Sequence, residues 1–128
     1  NNIKAGASWT TEDGTIIPHE RLTTPANPPR SYAYCSDTVY LPRLKDILNG
    51  VTLLYHEATY MHERAPRAEQ TRHSTALQAA MQARDANVEQ LCIGHFSASL
   101  TDENSLLREA QSVFPNTILA NEGLVVSI

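Results

Sequence analysis

Val51-Thr52-Leu53-Leu54-Tyr55-His56-Glu57 is the stretch on which the fold of this chain turns. Residues 51–55 run without polar alternation, as in a strand buried on both faces of a sheet, and the run ends at a histidine and a carboxylate. Upstream, Ser31 to Cys35 reads as a second strand, ending at Ser36-Asp37-Thr38. Between them, Pro42 suits the first turn of a helix whose apolar positions Leu41, Leu44, Ile47 and Leu48 follow helical spacing, and Asn49-Gly50 stops it. Downstream, Thr75 and Gln78 have capping-box spacing at the head of an alanine-rich helix reaching about Ala86. Val88 to Gly94 reads as a strand closing at His95. A helix after Asp102 carries Leu106, Leu107, Ala110, Val113 and Phe114 on one side and ends at Pro115. Thr117 to Ala120 and Leu124 to Ile128 complete the pattern as two last strands, joined across Asn121-Glu122-Gly123.

The order β-α-β-α-β-α-β-β points to an α/β fold with helices layered on a sheet. Residues 1–30 stand apart. Asp13-Gly14 between β-forming residues signals a hairpin, and His19 to Arg30, with Pro25, Pro28 and Pro29, reads as an irregular connection. The division expected is therefore 1–30 as hairpin and proline-rich connection, and 31–128 as the α/β part.

At 128 residues and 14.2 kDa, with 41% apolar residues, the chain has the size of one domain. A net charge of −4 argues against unaided tight binding of long nucleic acid, since phosphate-binding surfaces are usually basic. The longest apolar runs fall far short of a membrane span. With no charged-then-apolar leader and no initiator Met, neither a signal peptide nor a natural start is expected. Cys35 and Cys92 lie in apolar runs without CxxC spacing, so they read as buried reduced thiols, which favours a cytoplasmic setting.

Asp37, His56-Glu57 and His95 each follow directly on a strand, at the carboxyl end where open α/β sheets bind ligands. His73 lies just before a helix N-terminus. Imidazole and carboxylate together suit zinc and metal-assisted hydrolysis. Plainer readings stand beside this one: Asp37 as a turn former or cap, His95 as a packing histidine, Glu57 as a solvated carboxylate, His73 as a turn residue. His19 and His62 read as surface residues.

Ser36-Asp37-Thr38, His56-Glu57-Ala58-Thr59, His73-Ser74-Thr75-Ala76 and Gly94-His95-Phe96-Ser97, in that order, resemble the C-terminal half of ribonuclease Z, the tRNA 3′-processing endonuclease of the metallo-β-lactamase superfamily. Pro28 to Cys35 and Phe114-Pro115-Asn116-Thr117 fit the same pattern. The resemblance implies half of an αββα sandwich, with a mixed sheet and helices mainly on one face, and two zinc ions held between the halves. It implies Asp37 as the carboxylate bridging both ions and His95 as a terminal ligand. His73 would be a catalytic group near the scissile phosphate, and Glu57 the carboxylate that fixes its tautomer. Ser97, Asn121 and Glu122 fall where substrate contacts are expected.

The activity implied is removal of the 3′ trailer from a tRNA precursor, leaving a tRNA 3′-hydroxyl. The alternatives are a phosphodiesterase or esterase of the same fold acting on small substrates, left open by Ser99-Leu100 where the family usually has an arginine and an aromatic residue, and a non-catalytic protein-binding module. The HxHxDH signature that carries most zinc ligands is absent, so this chain alone is expected to be inactive. A half-sandwich also leaves one sheet face bare, which predicts a homodimer formed sheet to sheet.

Overall fold

Four strands, β3 (Tyr32–Cys35), β4 (Leu53–Glu57), β5 (Gln90–Gly94) and β6 (Thr117–Leu119), form a sheet in the order β3-β4-β5-β6. The computed structural model describes residues 2–128, so Asn1, where the first expected region begins, lies outside it. Every neighbouring pair in this sheet is parallel. Between β4 and β5 run a 3-10 turn at His62–Arg64 and two helices, α2 (Ala65–Thr71) and α3 (Ala76–Asp85). Helix α4 (Glu103–Gln111) connects β5 to β6. Parallel neighbours taken in chain order need crossovers of one hand, which places their helices on one face. Helix α3 packs on β4, β5 and α4, and α4 packs on β6.

Side-chain volume explains the closeness of that packing. Ala76, Ala79, Ala80, Ala83 and Ala86 put a near-smooth surface against Leu54, Leu91 and Ile93, all with no exposed surface. Burying each of these larger side chains is worth about 1.5–3 kcal/mol. Thr75 caps α3 through the full reciprocal box: its hydroxyl accepts from the Gln78 N–H, and the Gln78 side chain accepts from the Thr75 N–H at 2.9 Å. Asp102 caps α4 by accepting from the Asn104 N–H at 3.0 Å.

The other face is open. Tyr32 and Tyr34 are 54% and 63% exposed, and Tyr34 stacks on Tyr55 with ring centroids 4.6 Å apart. Leu124 and Val126 of the C-terminal segment join Tyr32, Leu53, Tyr55 and Cys92 around a cavity of about 240 Å³ on this face. Ahead of the sheet, β1 (Trp9–Thr10) and β2 (Ile16–Ile17) make the antiparallel hairpin that Asp13-Gly14 announced, and α1 (His19–Leu22) follows.

Several expectations are corrected. The helix expected from Pro42 is a 3-10 turn over Pro42–Lys45. The buried Gln82 amide donates to the Leu41 carbonyl at 2.8 Å and accepts from the Lys45 N–H at 3.2 Å, occupying the two groups that an α-helical bond would pair. Ile47 is consequently 77% exposed, although it sits at an expected apolar position. Strand β4 runs through His56 and Glu57 instead of ending before them, because its ladder with β5 continues to Glu57 opposite Gly94. Leu124–Ile128 forms no strand, and the sheet is not mixed: Leu124 and Val126 spend their side chains on the open face instead of extending the sheet beyond β6. One turn of helix, α1, interrupts the stretch read as irregular, and α2 falls where no helix was expected. His62 is exposed as expected, whereas His19 is half-buried against Thr23. Cys92 is buried and Cys35 half-buried, both are free thiols, and burial pushes both thiol pKa values up.

Candidate metal and hydrolytic site

Three loops meet at the carboxyl ends of β3, β4 and β5. Asp37 follows β3 and His95 follows β5, and both adopt left-handed backbone, with φ of 49° and 59°. Few non-glycine residues hold that conformation, and each bends the chain sharply at a strand end. Both side chains thereby turn toward one point: His95 Nε2 lies 3.5 Å from Asp37 Oδ1. His73, in the link between α2 and α3, joins them with its ring centroid 5.2 Å from that of His95. Asp37, His73 and His95 each offer a ligand atom, and those atoms lie within 4.8 Å of one another.

Glu57 organises this corner from beneath. It is fully buried, a position that an anion occupies only when its oxygens are well supplied with donors. Its Oε1 accepts from the Thr38 N–H at 2.6 Å, and its Oε2 accepts from the Ser74 N–H at 3.0 Å and the Thr59 hydroxyl at 2.8 Å. His73 Nδ1 sits 3.1 Å from both oxygens. An acceptor-only carboxylate requires the proton on Nδ1 of His73, which leaves Nε2 with its lone pair. The same donors tie the loops together, since Ser74 Oγ also donates to the Thr38 carbonyl at 2.7 Å.

His56 does not reach this corner. Neighbouring strand residues face opposite sides, so only one of the His56-Glu57 pair can turn toward it. His56 has no exposed surface, its Nδ1 lies 2.7 Å from the Glu57 carbonyl oxygen, and its Nε2 has no partner among the described residues. Burial, the largest influence, pushes its pKa below the ordinary 6.5, against the opposing pull of the Glu57 carbonyl and charge.

Ser97 borders the site: its N–H donates to the Thr59 carbonyl at 3.1 Å, and its hydroxyl pairs with that of Ser99 at 2.9 Å. Asn121 and Glu122 are exposed in the turn after β6, and Asn121 lines the open-face cavity instead of the corner around Glu57. Beside His73 lies a cleft of about 700 Å³ bordered by Val39, Tyr40, Pro66, Arg72 and Gln78. Tyr60 presents its ring edge to His73, with Arg64 over its face at 5.5 Å. Thr38, Thr59, Ser74 and Tyr60 carry no expected role from the sequence alone. Thr38, Thr59 and Ser74 lie inside the quoted motifs, but their part is to satisfy one buried carboxylate, which spacing does not reveal.

One carboxylate and two imidazoles are a donor set that zinc accepts, and the two Nε2 atoms can be unprotonated while both Nδ1 atoms are held from behind. The residues present therefore fit a cation, with three ligand atoms to offer.

No family model matches the chain. It is 53% identical over all 128 residues to ribonuclease Z of Bacteroides fragilis and 54% identical over all 128 to that of Phocaeicola vulgatus. It is also 54% identical over 126 residues to ribonuclease Z of Porphyromonas gingivalis. The chain covers 42%, 41% and 41% of these relatives, so it spans about two fifths of their length. Among solved structures it superposes on the metallo-β-lactamase fold protein YhfI of Bacillus subtilis with a TM-score of 0.66, at 22% identity. That match covers 71% of this chain and 37% of the other, and it concerns the fold alone. Along its whole length, then, the chain is similar to part of ribonuclease Z, and it is built on the metallo-β-lactamase fold.

Proposed function

We propose that this chain contributes one side of the hydrolytic site of a zinc-dependent phosphodiesterase that removes the 3′ trailer from tRNA precursors. The observation that carries the reading is the meeting, within 4.8 Å of one another, of ligand atoms from Asp37 after β3, His95 after β5 and His73 in the link between α2 and α3, on a chain similar throughout to ribonuclease Z. Asp37 and His95 would hold zinc, Asp37 between two ions because a carboxylate has two oxygens to share. Bound zinc supplies electrophilic polarisation of the phosphoryl group and a stronger water nucleophile at neutral pH. Glu57 keeps the His73 ring fixed with Nδ1 protonated, so that Nε2 faces the reacting phosphate. From there His73 stabilises charge or, once protonated, passes a proton to the leaving 3′ oxygen. Ser97 at the border, and Asn121 and Glu122 in the last turn, would contact substrate.

Asp37 and His95 are too few to hold two zinc ions, since a catalytic zinc usually has three protein ligands of its own, and even with His73 counted only three ligand atoms meet here. Alone the chain is accordingly inactive, and turnover needs further ligands from a longer protein. We also place it in the cytoplasm, in keeping with its two free thiols, and no helix among the described residues is long and apolar enough to cross a membrane.

The test is a longer protein that joins this sequence to an HxHxDH-bearing segment, assayed with zinc on a precursor tRNA and on bis-p-nitrophenyl phosphate. A tRNA ending in a 3′-hydroxyl and a trailer bearing a 5′-phosphate are expected. Hydrolysis of the small ester with intact RNA would reject the tRNA reading in favour of a small-substrate phosphodiesterase. Absence of both zinc and hydrolysis would leave a non-catalytic binding module.

A further inference from the structure

We propose that Thr59 is the positioning residue that sets the tautomer of His95, placing the proton on Nδ1 and leaving the Nε2 lone pair for a cation. This rests on reading Asp37, His73 and His95 as a cation site. Thr59 is 6% exposed, and its single hydroxyl lies among three groups that can accept a proton. Glu57 Oε2 is at 2.8 Å, the His95 carbonyl oxygen at 2.9 Å, and His95 Nδ1 at 3.1 Å.

A hydroxyl has one proton to donate and two lone pairs to receive. The carboxylate and the carbonyl have nothing to donate, so they compete for that one proton and both hold stronger claims than a ring nitrogen farther away. Were Nδ1 unprotonated, three acceptors would crowd around one proton on the part-buried side of the ring, where an unsatisfied polar atom is costly. With Nδ1 protonated, the ring donates to the hydroxyl oxygen and the hydroxyl proton goes to oxygen. Two protons then serve the cluster, and Nε2 turns its lone pair toward Asp37. The separation of His95 Nε2 from Asp37 Oδ1, 3.5 Å, is long for a charge-assisted hydrogen bond, as expected of two groups that face the same place as acceptors.

One carboxylate thus governs both imidazoles. Glu57 receives the Nδ1 proton of His73 directly and reaches that of His95 through the Thr59 hydroxyl, so both rings expose the same nitrogen to the site. Thr59 is itself pinned by its backbone, its N–H donating to the Ser74 carbonyl and its carbonyl accepting from the Ser97 N–H, both at 3.1 Å.

The experiment compares the unmutated chain with Thr59→Val, which keeps the shape without the hydroxyl, and Thr59→Ser, which keeps the hydroxyl. Nitrogen-15 spectra of the imidazoles at mildly alkaline pH, without metal, read the tautomer directly. His95 should carry its proton on Nδ1 in the unmutated chain and in Thr59→Ser, and shift toward Nε2 in Thr59→Val. Backbone amide spectra of each variant confirm that it is folded. In the longer protein that joins this sequence to an HxHxDH-bearing segment, zinc titration should show Thr59→Val binding about 10- to 100-fold more weakly, with Thr59→Ser close to the unmutated form. An Nε2-protonated His95 in the unmutated chain, or an unchanged tautomer in Thr59→Val, overturns the proposal. Equal zinc affinity in folded Thr59→Val does so too. The expected tautomers together with no zinc binding by that longer protein in any form instead overturn the cation-site reading on which the proposal rests.

Discussion

At the scale of single residues, Glu57, Thr59 and His73 form one hydrogen-bonded unit whose output is the orientation of two imidazoles. In a longer active protein, His73→Ala should retain zinc and lower turnover by roughly 10²- to 10⁴-fold, the usual worth of a positioned proton donor. Metal analysis beside steady-state kinetics checks this, and loss of zinc with His73 would make it a ligand instead. His56 gives a second expectation, about stability. Its folded pKa lies below the ordinary 6.5, so below that pH the unfolded chain binds the proton more readily than the folded one. Stability should therefore be lost as pH falls through about 6.5 toward the folded value, and be fully present above it. Urea midpoints between about pH 7.5 and 5 should fall in the unmutated chain and fall less in His56→Leu.

Elements deliver those residues, and two local devices govern the delivery. Gly94 ends β5 immediately before His95, and a Cβ there would lie 2.6 Å from Tyr55 Oη and 3.0 Å from the Ala120 Cβ. Gly94→Ala must therefore move the Tyr55 ring or the strand, and should cost about 1–3 kcal/mol in denaturant unfolding. Substituting Tyr55 by Leu in that background should restore part of the loss. The capping box on α3 offers an independent measurement, as Thr75→Ala should cost about 0.5–2 kcal/mol. Both the box and the strand before His95 were legible along the chain, because each depends on residues a few positions apart. The helix expected after Pro42 was not. Its Leu41 carbonyl and Lys45 N–H are taken by Gln82, which lies far along the chain and meets them only through tertiary packing.

For the whole molecule, the consequence is an uncovered sheet face. Tyr32 and Tyr34 stay largely exposed there, and the C-terminal segment covers only part of it through Leu124 and Val126. An apolar face of this kind favours association, and two copies packed sheet to sheet would bury it symmetrically. Sedimentation at micromolar concentration should give a dimer, with Tyr34→Glu shifting it to monomer. A monodisperse 14.2 kDa particle for the unmutated chain would reject this association.

Local pattern alone determined the α/β class, the hairpin at Asp13-Gly14, strands β3, β5 and β6, the starts of α3 and α4, and four short motifs that resemble ribonuclease Z, a similarity that extends over the entire chain. These features rest on periodicity, caps and turns, whose energies come from near neighbours. Only the tertiary structure decided that β4 carries His56 and Glu57 inside the sheet, and that one of them faces the site while the other is buried away from it. It also decided that Leu124 and Val126 lie against the open face and that Thr59 stands between Glu57 and His95. The reason is the demand of a buried carboxylate for donors: beside Thr59 two residues on, those that meet it, Thr38, His73 and Ser74, come from 16 to 19 residues away, and no local pattern records which of them will arrive.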